Sequence, residues 1–164
     1  MNPMKTLNSL HSLSICLLTL LLALSASGCA TMRAVIDPPS DPLTTEEHLD
    51  LGLAYESEGR LKQAVRQYDL AAKEIPEALV LKGNALFAQG KLKQAADSFE
   101  AAVEEQDDNA EARNNLAWTL YMMNEELERA EKLAVRALEL AGPTNREAYE
   151  DTLIRIRAKR AGKD

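Results

Sequence analysis

The chain is poor in the residues that most catalysis uses. Its 164 residues include two histidines and two cysteines. His11 and Cys16 fall in the first stretch, which leaves His48 and Cys29 for everything after it. A nucleophile–histidine–acid set and a transition-metal centre both need more than that. No glycine-rich, phosphate-cradling loop is present. Basic residues do not predominate: there are 19 against 26 acidic ones. This balance argues against nucleic acid as a partner and against broad adsorption to anionic lipid. An apolar run of the roughly 20 residues that span a bilayer is also missing. The expectation is a non-catalytic chain with no metal and no cofactor.

What is present begins with an address. Lys5 is the only charged residue in 1–28. The apolar run Ile15–Leu24 has about half the length of a spanning helix and suits the apolar region of a secretory signal. Small residues Ser25, Ala26, Ser27 and Gly28 then lead to Cys29. The pattern resembles the lipobox of bacterial lipoproteins, with Ala26 where that family usually has Leu. An ordinary cleaved signal followed by an unrelated cysteine is the plainer alternative. The resemblance implies that 1–28 is a removed signal peptide and that Cys29 carries acyl chains such as palmitate. The protein would then be a membrane-anchored envelope protein with neither a free thiol nor a disulfide. Ala30, in place of the Asp that often retains such proteins at the inner membrane, tilts the expectation toward the outer membrane, facing the periplasm.

Residues 29–43 read as a tether. Asp37-Pro38-Pro39-Ser40-Asp41-Pro42 is unsuited to helix, because proline lacks the amide donor and constrains the residue before it. An extended Pro-rich segment rises about 3 Å per residue, so the tether could hold the rest of the chain some 30–40 Å from a bilayer. Beyond the leader, 18 basic residues face 26 acidic ones, a net charge of −8. The remaining length, about 120 residues, suits one domain.

That remainder repeats itself. One copy runs Leu51-Gly52, Tyr55, Gly59, Ala64, Tyr68, Ala71 and Pro76. Gly83, Leu86, Gly90, Ala95, Phe99 and Ala102 come next, each 31 residues after its counterpart. A third, partial copy reads Leu116-Ala117, Leu120, Ala130, Ala134 and Ala137, with Ala117 34 residues after Gly83. This resembles the tetratricopeptide repeat, a helix–turn–helix unit of about 34 residues that stacks into a solenoid. The implied fold is all-α: three hairpins and a capping helix in a short right-handed solenoid over 44–164, with repeats at about 45–76, 77–107 and 108–142 and a cap at 144–160.

The expected helices are Thr45–Ser57, Leu61–Glu74, Glu77–Gln89, Leu92–Glu105, Asp108–Met123 and Leu127–Leu140. Thr44 with Glu47, Asp108 with Glu111, and Thr144 with Glu147 have capping-box spacing. Gly52 and Ala64 are expected at a close approach of two helices, with Tyr55 and Tyr68 filling the gap to neighbours. The short first step implies about three residues missing near Ile75, at the end of the second helix. Asn124 replaces the turn glycine and tolerates left-handed geometry; one extra residue loosens that turn. Tyr149, Thr152, Leu153 and Ile156 form the buried stripe of the cap. Its basic end (Arg155, Arg157, Lys159, Arg160) suits the helix dipole and offers a second reading, as a contact for lipid headgroups or an acidic partner. His48 sits at a packing position.

In such solenoids the first helix of each hairpin lines the concave face. The resemblance therefore implies a partner groove made by Leu49, Leu53 and Glu56, then Val80, Asn84 and Phe87, then Asn114, Trp118, Tyr121 and Met122. Asn84 and Asn114 could hold a peptide backbone, since an amide both donates and accepts. Several family members clamp a C-terminal carboxylate with Lys, Asn and Arg; Leu49 and Leu53 stand at the relevant first-repeat positions, so an apolar segment is expected instead. Packing of these side chains within the chain is the alternative. The expected function is a protein-binding adaptor or assembly factor for an envelope complex of pilus, secretin or exopolysaccharide type. Recruitment of clients to an envelope protease and self-association as a structural lipoprotein are the alternatives.

Overall fold

The computed structural model describes residues 41–162. They form seven α-helices and no strand: α1 Thr45–Ser57, α2 Leu61–Ala71, α3 Glu77–Ala88, α4 Leu92–Glu105, α5 Ala110–Met123, α6 Leu127–Leu140 and α7 Arg146–Arg160. Consecutive helices pack together, giving hairpins α1–α2, α3–α4 and α5–α6, with α7 closing against α6 and α5. Leu43–Asp164 is one compact unit. Cys29 and the leader lie outside the described residues.

Local chemistry sets the helix ends. Thr44 Oγ1 accepts from the amide of Glu47 at 3.2 Å, and Glu47 returns the bond by accepting from the Thr44 amide at 2.8 Å. This reciprocal cap satisfies two otherwise orphaned donors. Gly59 and Gly90 take φ of +72° and +74° in the first two hairpin turns. In the third turn Asn124 (φ 57°) does the same, and Glu126 also lies at φ 45°. The extra residue thus forces a second left-handed position. Helix α2 has 11 residues where α4 and α6 have 14, so the short repeat step is taken from the end of α2, which stops at Ala71 rather than Glu74.

Two caps differ from expectation. α5 is capped by Asn109, whose side chain accepts from the Ala112 amide at 2.9 Å; Asp108 lies one residue too early. At α7 the turn through 143–145 takes up Thr144, and the helix starts at Arg146 after Asn145 with no side-chain cap. The Thr144–Glu147 box does not form.

The hairpins are filled by rings over glycines. Tyr68 of α2 lies over Gly52 of α1, and Phe99 of α4 over Gly83 of α3. These glycines make room for a ring. Tyr68 also joins Ala64 and Ala85 in one cluster, linking the first hairpin to the second. The larger cluster runs from Leu86 and Phe99 through Leu116 and Leu120 to Leu153 and Ile156. In the third hairpin Ala117 and Ala134, both fully buried, occupy the glycine and ring positions.

Both ends are closed chemically. Glu47 is exposed on α1 where Ala78 and Ala112, its repeat counterparts, are fully buried. On α7 the stripe Tyr149, Thr152, Leu153 and Ile156 is buried. The series Leu86, Leu120, Ile154 advances by 34 residues; the first two are 3% exposed and the last 64%. α7 covers the third hairpin without starting a fourth, as a cap does. Two buried clusters, both contacted by Val65, and the covering helix α7 give Leu43–Asp164 what a domain needs to fold alone.

Candidate functional site

The first helices of the hairpins, α1, α3 and α5, carry the expected groove residues, and α3 and α5 touch directly. At that contact lies a cavity of about 170 Å³ lined by Asn84 and Phe87 of α3, Phe99 of α4, and Asn115, Trp118 and Thr119 of α5. Asn115 Nδ2 donates to Asn84 Oδ1 at 3.0 Å, joining the two helices. Asn114 Nδ2 in turn points to Asn115 Oδ1 at 3.4 Å, and Asn114 Oδ1 is buried without a partner. Asn84 engages only its Oδ1 in this arrangement, which leaves its Nδ2 able to donate to a ligand carbonyl. Phe87 and Trp118 flank the amides with partly buried apolar surface. Thr119 Oγ1 donates to the Asn115 carbonyl at 2.6 Å and so takes no donor from the site.

Next along α5, Trp118 stacks on Tyr121, centroids 5.0 Å apart and planes 28° apart. Lys159 of α7 sits 4.4 Å from the Tyr121 ring centroid and donates to the Tyr121 carbonyl at 3.2 Å. The cap therefore pins Tyr121, while Trp118 faces the cavity. Cation–π contact of this kind contributes about 0.5–1 kcal/mol at an exposed site.

The other expected residues are placed differently. Leu49 packs against the first-hairpin cluster and Leu53 is 44% exposed. Glu56 Oε2 accepts from the Tyr68 hydroxyl at 2.5 Å, so the groove carboxylate is tied to the core. Burial, then that bond to Glu56, pushes the Tyr68 hydroxyl well above the ordinary phenol value. Val80 is buried in the main core, with only its edge at a shallow hollow beside Leu81 and Asn109. Met122 is exposed and does not line the cavity. The structure thus gathers Asn84, Phe87 and Trp118, reaches Tyr121 through the stack, and adds Asn115. Sequence reasoning missed Asn115 because its repeat register put Asn114, Trp118 and Tyr121, with Met122, on the groove face of α5 and left Asn115 off it. The adjacent pair Asn114-Asn115 inside a helix, where asparagine is a poor former, was the available signal.

His48 is buried, its Nδ1 bonded to Gln67 Oε1 at 2.7 Å. The basic end of α7 is engaged by its own chain. Arg157 Nε donates to Glu131 at 2.7 Å, Arg160 pairs with the same carboxylate, and Arg155 reaches Asp151 at 2.6 Å. The bond from Arg157, then that from Arg160, holds the Glu131 carboxyl below its usual range. Among the described residues no group of three or more His, Cys, Asp and Glu side chains could hold a metal ion, and no helix is long and apolar enough to cross a membrane.

Comparison with known proteins agrees with this geometry. The tetratricopeptide repeat family model matches residues 80–149. Among solved structures, the first TPR of Spaghetti (RPAP3) bound to the HSP90 peptide SRMEEVD is 21% identical, with TM-score 0.66, over 74% of this chain and 96% of that one. MamA (41-end) from Desulfovibrio magneticus RS-1 is 23% identical, with TM-score 0.63, over 73% and 68%. The Yersinia enterocolitica type III secretion chaperone SycD, in complex with a peptide of the translocator YopD, is 19% identical, with TM-score 0.63, over 70% and 93%. No curated protein matches the chain. These likenesses show the fold, an all-α tetratricopeptide-repeat solenoid.

Proposed function

We propose that this chain is a non-catalytic adaptor that holds an extended, internal segment of a protein partner across α3 and α5. The carrying observation is the cavity lined by the bonded Asn84–Asn115 amide pair together with Phe87 and Trp118. Amides can hold a peptide backbone, and the apolar walls can take one aliphatic or aromatic side chain. Two of the similar structures carry peptides, one from HSP90 and one from YopD, which supports a peptide as occupant here. Leu49 and Leu53 offer no cation to a C-terminal carboxylate, which favours an internal segment.

The adaptor works at a bacterial envelope, lipidated at Cys29 and facing the periplasm from the outer membrane, in the assembly of a complex of pilus, secretin or exopolysaccharide type. The small residues before Cys29 and the Pro-rich tether support this reading. Two experiments test the proposal. Cys29→Ser should move the protein from membrane to soluble fractions without unfolding it; retention in the membrane would sink the anchor. Pull-down from detergent-extracted envelopes, followed by peptide mapping of whatever is captured, should yield one partner lost on Trp118→Ala. A capture list unchanged by that substitution would remove the groove from the account.

A further inference from the structure

The antiparallel hairpins divide the solenoid's loops between two edges, and charge is divided with them. One edge holds the connections between hairpins and the turns beside them (residues 45–48, 68–80, 102–113 and 137–149); there acidic residues outnumber basic ones twelve to three. The opposite edge holds the turns within hairpins and the end of α7 (54–64, 85–95, 120–130 and 157–162); there basic residues outnumber acidic ones eight to five. The basic edge repeats a short sequence, Gly59-Arg60-Leu61-Lys62-Gln63-Ala64 and Gly90-Lys91-Leu92-Lys93-Gln94-Ala95. Lys62, Lys91 and Lys93 are exposed and make no ion pair among the described residues. On the acidic edge Glu104, Glu105 and Asp108 are exposed.

At α4 this division works against the helix that carries it. A helix favours acidic groups at its start and basic groups at its end. α4 has Lys91 and Lys93 at its start, no acidic residue in its first turn, no basic residue in its last, and Glu104-Glu105 at its close. Helix stability accounts for the acidic starts of α1, α3, α5 and α7 and the basic end of α7, but not for the charges of α4. The two edges are complementary over the first two hairpins, where both step at the repeat spacing, so the acidic edge of one copy can meet the basic edge of another in register there; the third turn carries Glu125, Glu126 and Glu128 against Arg129.

We propose that this chain associates edge to edge, the acidic edge of one copy against the basic edge of a second. The contact joins two different surfaces, so it is heterologous and leaves a free edge at each end of a pair. It is independent of the groove between α3 and α5.

Sedimentation of residues 41–164 tests it. In about 10 mM salt, where charges act over about 30 Å, mass should rise with protein concentration; in about 1 M salt, where they act over about 3 Å, the protein should be monomeric. K62E/K91E/K93E and E104K/E105K should each associate at least tenfold more weakly than wild type, and their equimolar mixture should recover the association. Both variants place charge as the helix dipole prefers, so both should melt no earlier than wild type, which separates lost contact from lost fold. A wild type that stays monomeric in low salt overturns the proposal. So does association that survives high salt and is abolished by Trp118→Ala, which would assign self-contact to the groove. Capture of an acidic macromolecule by the basic edge, with no mass increase of the protein alone, would give that edge another occupant and equally overturn it.

Discussion

A Cβ placed on Gly52 would lie 2.5 Å from Cε1 of Tyr68, and one on Gly83 would meet Phe99 equally closely, 2.6 Å from its Cδ1. Glycine and ring are thus one unit in two successive hairpins. Gly83→Ala should destabilise the fold by about 1–3 kcal/mol through overpacking. Combining it with Phe99→Leu should cost less than the sum of the single changes, because the ring is what the methyl meets. Urea denaturation of the four proteins measures this; strictly additive costs would disconnect the pair.

The bond from Tyr68 to Glu56 should appear in alkaline stability. Burial and Glu56 raise the Tyr68 hydroxyl above its unfolded value of about 10. A raised acid contributes stability that is intact below the unfolded value and lost as pH rises through the folded one. Tyr68→Phe should cost about 1 kcal/mol at neutral pH and reduce the fall in melting temperature above pH 10. Identical alkaline profiles would remove Tyr68 as a source.

Acid behaviour reports on the junction of α6 and α7. Glu131 is held below its unfolded value, about 4.3, by Arg157 and Arg160. Its contribution is complete above that value and is lost as pH falls through the lower folded one. The partners are largely exposed, so Glu131→Gln should cost only about 1 kcal/mol at neutral pH. The difference from wild type should narrow in thermal melts as pH falls below the unfolded value; a gap independent of pH would mean that Glu131 acts by packing.

The third hairpin turn carries strain that its counterparts avoid. Glu126 stands at φ 45° with an exposed side chain, where a side chain costs about 1–2 kcal/mol relative to glycine. Its ion pair with Arg129, at 3.3 Å, returns little. Glu126→Gly should therefore raise the melting temperature by a few degrees. A lower melting temperature would show that the ion pair outweighs the strain.

Most of the fold was legible because it rests on spacing. Small and aromatic residues at repeat intervals announced the hairpins, and the three residues missing from the first step were found missing from α2. Caps were less legible: Asp108 and Asn109 are both good caps, and only backbone geometry chose Asn109. The site was half legible. Asn84, Phe87 and Trp118 follow from repeat position, but their meeting with Asn115 depends on how α3 and α5 lean together. The tie from Glu56 to Tyr68 and the pinning of Tyr121 by Lys159 arise from contacts between hairpin positions that no single repeat encodes.

The central claim is that the α3–α5 cavity receives a partner segment. Its most direct test is the affinity of the mapped partner peptide for wild type, Asn115→Ala, Trp118→Ala and Met122→Ala, read by calorimetry. The account predicts losses of about tenfold or more for Asn115→Ala and Trp118→Ala, roughly 1.4 kcal/mol each, and near-wild-type binding for Met122→Ala, which lies outside the cavity. Full affinity in both cavity variants, or a loss confined to Met122→Ala, would contradict it.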